Sequence, residues 1–150
     1  MSANPILTFG IPTYNRAGSL KRNLDILTRQ ILADNLGDRV EILISDNASI
    51  DNTKEAVESF QKNFSNIRYS RNKSNLGYDR NVHQVLKLAQ GRFCWTLSDD
   101  DFLAEGAIKF VLHILQNNPD AAYVCVDNGN LLNGQDSKKY ANGGEWLEKL

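Results

Sequence analysis

Phe93-Cys94-Trp95-Thr96-Leu97-Ser98-Asp99-Asp100-Asp101 is an apolar, strand-like run that delivers three consecutive carboxylates to the point where a strand should end. Carboxylates crowded in this way repel one another. They are tolerated when a hard divalent cation, or donors such as ribose hydroxyls, take up the excess negative charge. The stretch therefore points to a metal-assisted nucleotide site. The competing account is a solvated acidic turn that caps the following helix, since Asp near a helix N-terminus also favours the macrodipole.

Outward from this stretch, short apolar runs alternate with amphipathic segments, the sequence form of a mostly parallel sheet covered by helices. Ile6 to Ile11 reads as a first strand stopped by Pro12, and Leu20, Leu24, Leu27 and Ile31 recur at helical spacing after it. Val40 to Ser45 forms a second strand ending at Asp46. Asn52 followed by Glu55 resembles a capping-box start, and Ala56, Val57, Phe60 and Phe64 supply the buried face of a second helix. Ile67 to Ser70 is a short third strand. After the polar loop from Arg71 to Tyr78, the residues Val82, Val85, Leu86 and Ala89 mark a third helix, ended by Gly91 as a left-handed residue. Phe93 to Leu97 is the fourth strand, Ile108, Val111, Leu112 and Leu115 mark a fourth helix stopped near Pro119, and Ala122 to Val126 is a fifth strand. Beyond Asp127 the turn signals Asn128-Gly129 and Asn133-Gly134 replace apolar periodicity. This gives residues 1–127 as a core and 128–150 as the start of a further segment.

The 150 residues are 41% hydrophobic and 23% charged, enough for one domain with a real core. Seventeen basic residues against eighteen acidic ones leave a net charge of −1, so no global field recruits nucleic acid or an anionic membrane. Cys94 and Cys125 lie in apolar runs without metal-ligand spacing and read as buried free thiols of a reducing compartment. There is no signal-peptide pattern at Met1-Ser2-Ala3-Asn4-Pro5 and no run of about 18 apolar residues. The expected location is the cytoplasm, with peripheral membrane attachment through residues beyond Leu150 left open.

In an open parallel sheet, ligands bind outside the carboxyl ends of the strands, where loops and helix N-termini converge. Thr13 to Arg16 follows strand one, Asp46-Asn47-Ala48-Ser49 follows strand two, and the aspartate triplet follows strand four. Each loop alone has a structural account: Asp46 as a turn cap, Asn15 and Ser49 as local backbone partners, Arg16 as a solvated charge. Three such loops at strand ends favour one shared crevice. His83 and His113, thirty residues apart on helical segments, read as packed or surface residues, and Trp95, Phe60 and Phe64 as core.

The order of segments closely resembles family 2 glycosyltransferases of the GT-A fold. The matching pieces are Ile11-Pro12-Thr13-Tyr14-Asn15-Arg16, Ile44-Ser45-Asp46-Asn47-Ala48-Ser49-Ile50-Asp51-Asn52-Thr53, Asn75-Leu76-Gly77-Tyr78-Asp79-Arg80-Asn81 and Leu97-Ser98-Asp99-Asp100-Asp101, spread over about residues 6 to 127. The resemblance implies a GT-A, Rossmann-like α/β fold, cut short of its acceptor-binding part. It further implies a nucleoside pocket lined by Pro12, Thr13, Tyr14 and Asn15, with Asp46 on the base and Asn47 beside it. For Arg80 it implies a base or diphosphate contact, against the alternative of a helix-face arginine paired to Asp79 or Asp51. Asp99 matches the residue that touches ribose and Asp100 the metal ligand, with Asp101 able to substitute or to coordinate through water. Mn²⁺ or Mg²⁺ is the implied cofactor, since a hard oxygen set with few protein ligands leaves room for phosphate oxygens.

The implied reaction moves a sugar from a nucleoside diphosphate sugar to a hydroxyl of a saccharide or lipid-linked acceptor, with inversion, in surface polysaccharide or glycoconjugate synthesis. Ser98 stands where an aspartate often opens the acidic motif, a form similar to branches that act on bacterial surface polysaccharides. A general base is expected well after the triplet. Of Asp127, Asp136, Glu145 and Glu148, none sits in a recognisable base motif, so the chain reads as the donor-binding portion of a longer enzyme. A non-catalytic nucleotide-sugar-binding module is the alternative. A nucleotidyltransferase or a dinucleotide oxidoreductase would need a glycine-rich loop after strand one, which Pro12 to Arg16 does not provide.

Overall fold

The computed structural model describes residues 4–122. Its elements run β1 (Leu7–Thr13), α1 (Ala17–Ala33), a 3-10 turn (Gly37–Arg39), β2 (Val40–Asp46), α2 (Thr53–Gln61), β3 (Ile67–Arg71), α3 (Tyr78–Leu88), β4 (Phe93–Thr96) and α4 (Ala107–Asn117). The strands form one sheet in the order β3-β2-β1-β4, parallel at every pairing, so the expected α/β architecture is the one observed. β1 and β2 are buried along their whole length, as central parallel strands covered on both faces must be. Within the described residues, 4–112 cluster as one compact unit. The expected fifth strand, apart from Ala122, and the boundary at Asp127 lie outside the described residues, as do Cys125 and Trp146.

Helix α3 packs on β1, β2 and β4. It comes so close at Gly10 that a Cβ there would overlap Val85 Cγ1, which is why this strand position has no side chain. The opposite pleat carries Phe9 and Ile11, both fully buried, and α1 and α2 pack against each other to complete the layer. The predicted stripe Leu20, Leu24, Leu27 and Ile31 is fully buried, each residue contributing about 1.5–3 kcal/mol relative to exposure.

Five local expectations are corrected. Pro12 does not stop β1, which continues to Thr13. Gly10 accepts from Leu97 N–H on one side and Thr13 accepts from Asn47 N–H on the other, so the Pro12 nitrogen faces the side where the β4 pairing has already ended. Asn52 makes no side-chain cap bond on α2; Asp51 does this instead, accepting from Thr53 N–H and Thr53 Oγ1 and, with its other oxygen, from the Ala17 N–H that opens α1. One carboxylate thus serves two helix N-termini.

Leu86 is 53% exposed rather than core, and the buried face of α3 instead carries Asn81, 2% exposed, one turn before Val85. Gly91 is not in a left-handed conformation; the helix ends in extended backbone at Ala89. Gly91 is there because a Cβ would stand 2.6 Å from the Thr8 backbone nitrogen. Trp95, expected in the core, is only half-buried because β4 is an edge strand among the described residues, and it stacks at a tilt on Phe9 with ring centroids 5.6 Å apart. Cys94 is a free thiol whose pKa burial pushes up. Among the described residues no helix is long and apolar enough to cross a membrane.

Candidate functional site

A cleft of about 390 Å³ opens at the carboxyl ends of β1, β2 and β4 and the start of α3. Pro12, Thr13, Tyr14 and Arg16 line it from the β1 loop, Asn47 from the β2 loop, and Ser98, Asp99 and Asp100 from the β4 loop. Asn75, Gly77, Tyr78 and Asn81 close the remaining side. This is the crevice that a sheet of this order places at the exits of its central strands. Tyr14 and Tyr78 are 43% and 69% exposed at its rim, two flat apolar surfaces available for stacking.

The β2 loop is held by its own carboxylate. Asp46 is 1% exposed, and its Oδ1 accepts from Ser49 N–H at 2.8 Å. Its Oδ2 accepts from Tyr69 Oη and lies 3.5 Å from Arg71 Nε. Burial, and then the Asp46 hydrogen bond, push the Tyr69 phenol well above its ordinary pKa, so it stays a donor. The loop bends through Ala48 at φ 68° and faces Asn15 at φ 52°, two left-handed non-glycine residues held by mutual bonds. Asn15 N–H donates to Ser49 Oγ at 2.9 Å and Ile50 N–H donates to Asn15 Oδ1 at 2.8 Å. Asp46 and Asn15 therefore shape the cleft from behind and are not among its lining residues.

An asparagine network fastens the loop from Asn72 to Tyr78 onto this wall. Asn81 Nδ2 donates to the Ser45 carbonyl at 2.9 Å, and Asn81 Oδ1 accepts from Ser45 Oγ and Asn72 Nδ2 at 2.7 and 2.9 Å. Asn47 Oδ1 accepts from Asn72 Nδ2 and from Leu76 N–H, while its Nδ2 donates to Asn75 Oδ1 at 2.7 Å and to the Gly77 carbonyl at 3.2 Å. Gly77, at φ 83°, turns the chain into α3.

The acidic triplet does not cap α4, which starts six residues after Asp101 and has no acid in its first turn. Asn23 of α1, 1% exposed, holds the turn by donating to the carbonyls of Ser98 and Asp101, both at 2.9 Å. Asp99 is buried and accepts from Thr13 Oγ1 at 2.7 Å. Burial raises its pKa, against the lowering effect of Thr13 and Arg16. Asp100 is half-exposed, and the Ser98 hydroxyl, then the Arg16 guanidinium, hold its pKa below the ordinary range. Arg16 Nη1 lies 2.5 Å from Asp100 Oδ2 and 3.4 Å from Asp99 Oδ1. Asp101 is not among the lining residues, and its N–H donates to the Ser98 carbonyl at 3.2 Å.

Of the predicted residues, Pro12, Thr13, Tyr14, Asn47, Asp99 and Asp100 meet in the cleft, whereas Asn15, Asp46, Arg80 and Asp101 are not among its lining. Arg80 is exposed on the first turn of α3, and among the described residues it pairs with neither Asp79 nor Asp51. Arg16 lies in a loop that the sequence places at the crevice but assigns no role there, and Asn23 and Asn81 were missed as site residues. A polar residue four positions before Val85 on the same helix face was the available signal for Asn81.

The profile of glycosyl transferase family 2 matches residues 8–149. The chain belongs to glycosyltransferase family 2. It is 37% identical over 121 residues to an abequosyltransferase of Salmonella typhimurium, covering 80% of this chain and 35% of that protein. It is 33% identical over 149 residues to the GalNAc(5)-diNAcBac-PP-undecaprenol beta-1,3-glucosyltransferase of Campylobacter jejuni, covering 97% of this chain and 44% of that one. This family 2 chain thus spans less than half the length of these relatives. Its fold is that of a Pyrobaculum calidifontis mannosyltransferase solved in complex with GDP-Man and Mn²⁺, at a TM-score of 0.68 and 23% identity over 84% of this chain and 36% of that one. S. aureus TarS in complex with UDP-GlcNAc has the same fold at a TM-score of 0.67 and 24% identity, over 75% and 32% of the two chains.

Proposed function

We propose that residues 1–127 are the donor-binding core of a glycosyltransferase that moves a sugar from a nucleoside diphosphate sugar to a hydroxyl of a saccharide or lipid-linked acceptor, with 128–150 opening the acceptor side. The observation that carries this reading is the convergence of the β1, β2 and β4 exits on one cleft with a carboxylate pair at one end and tyrosines at its rim. Membership of family 2 supports it, as do relatives named as an abequosyltransferase and as a glucosyltransferase of an undecaprenol-linked saccharide.

Pro12, Thr13, Tyr14 and Asn47 bind the nucleoside, with Tyr14 offering a stacking face and Asp46 and Asn15 fixing the loops that carry them. Asp99, fixed by Thr13, accepts from ribose hydroxyls. Asp100 is the metal-ligating carboxylate, while Asp101 does not line the cleft and is left without that role. Asp99 and Asp100 bring two hard carboxylates to an open site, and because no group of three such ligands occurs among the described residues, Mn²⁺ or Mg²⁺ would take its remaining ligands from diphosphate and water oxygens. Such a cation, when bound, stabilises charge developing on the diphosphate leaving group. The protein works in the cytoplasm, with peripheral association at the membrane face where a lipid-linked acceptor would lie.

Calorimetric titration of the chain with UDP, GDP, CDP and dTDP, each with and without Mn²⁺, tests the reading. Base-selective, Mn²⁺-dependent binding is expected, weakened about tenfold or more in Asp100→Asn, the loss of one charge-assisted contact. Binding of none of the four overturns the donor assignment, and Mn²⁺ dependence that survives Asp100→Asn removes Asp100 from the site.

A further inference from the structure

Among the described residues lining the cleft, Arg16 is the one cation. Its guanidinium lies against the two carboxylates, at 2.5 Å from Asp100 and 3.4 Å from Asp99, on oxygens that the proposed divalent cation would also need. Two cations cannot share those oxygens without strong repulsion. With Arg16 in place, the acid pair keeps about one net negative charge, which disfavours a diphosphate; with Arg16 elsewhere and no cation, it keeps two.

The backbone of Arg16 is not free to move. Its carbonyl accepts from Leu20 N–H at 3.0 Å as α1 begins, the next N–H, of Ala17, donates to Asp51 at 3.0 Å, and the preceding Asn15 is clamped to Ser49 and Ile50. The side chain is free. It is 52% exposed, and an ion pair with that much solvent contact is screened and readily exchanged. A planar, forked guanidinium matches phosphate oxygens as well as it matches carboxylates.

We propose that Arg16 is an exchangeable counter-ion. It neutralises Asp99 and Asp100 while no donor is present, yields them to a divalent cation, and turns on its fixed backbone to the diphosphate in the same cleft. This rests on the reading of the cleft as a metal-assisted nucleoside diphosphate site. Its consequence is linkage: Arg16 weakens binding of the metal alone, and it makes metal and diphosphate strengthen each other, reciprocally.

The test is a titration of Mn²⁺ alone, followed by the paramagnetic resonance signal of the free ion, and of the best-binding nucleoside diphosphate with and without Mn²⁺, on the wild-type chain, Arg16→Gln and Arg16→Lys, each checked by its melting curve. Arg16→Gln is expected to bind Mn²⁺ alone on the order of tenfold more tightly, because a unit charge near the ion is removed. Its Mn²⁺-induced gain in diphosphate affinity is expected to shrink by a similar factor. Arg16→Lys, which keeps the charge, is expected to retain the weak Mn²⁺ affinity of wild type. Unchanged or weaker Mn²⁺ binding in Arg16→Gln, or Mn²⁺ binding in Arg16→Lys as tight as in Arg16→Gln, overturns the exchange. A wild-type chain that binds diphosphate with Mn²⁺ while Arg16→Gln shows the same coupling overturns Arg16 alone; a wild-type chain that binds no nucleoside diphosphate overturns the donor reading beneath it.

Discussion

Asp99 and Asp100 are neighbours in the chain, yet their environments drive their proton affinities apart. Asp99 is pushed up by burial, and Asp100 is pulled down by Ser98 and Arg16. The signs for stability are opposite. Asp100, with its folded pKa depressed, adds stability that is present above its unfolded pKa and lost as the pH falls through the folded one. Asp99, with its folded pKa raised, adds stability that is complete below its unfolded pKa and lost as the pH rises through the folded one. Carboxyl-carbon NMR titration is therefore expected to show Asp99 taking its proton above the ordinary carboxylate range and Asp100 below it. Arg16→Gln is expected to move both upward, since Arg16 lowers both. A coincident titration of the two groups would refute the opposed environments. In function, the cation site should lose its first charge at Asp99 on acidification.

At the scale of elements, the wall between β2 and α3 is a polar joint in an otherwise apolar layer. Asn81 replaces an apolar residue on the buried face of α3 and carries bonds to Ser45 and Asn72, while Asn47 carries the loop that presents Gly77 and Tyr78. Truncating one member leaves the others buried without partners. Asn81→Ala is expected to cost about 2–3 kcal/mol in urea unfolding, the penalty of unsatisfied buried groups, and to weaken nucleoside diphosphate binding because Asn72, which also bonds the Asn47 amide that carries the Asn75 to Tyr78 segment, loses a partner. Binding and stability both at wild-type level would show that the loop is held by something else. The β4 exit is built on a similar plan, with Asn23 of α1 grasping the two carbonyls that flank Asp99 and Asp100.

At the scale of the whole molecule, four parallel strands bring polar residues from separate parts of the chain to one end of the sheet, and a ligand that bridges them binds only the folded state. A nucleoside diphosphate with Mn²⁺ at about 100 times its dissociation constant should add about 2.7 kcal/mol of stability, a rise of roughly 5–10 °C in Tm for a domain of this size. Differential scanning calorimetry checks this, and a Tm indifferent to the ligand pair would contradict a site built across β1, β2 and β4. The net charge of −1 offers no long-range attraction for the ligand, so its capture depends on these local groups. The sequence by itself determined the order of strands and helices, the buried stripe of α1 and the polar character of each strand exit, because burial repeats with period along the chain and turn chemistry is local. Only the tertiary structure decided that Pro12 sits inside a strand, that Gly91 serves close approach to Thr8, that Asp46 turns inward to Tyr69, and that Arg16 meets Asp100 across 84 residues. Those contacts depend on which strand lies beside which and how closely a helix is laid on them, and neither leaves a period in the sequence.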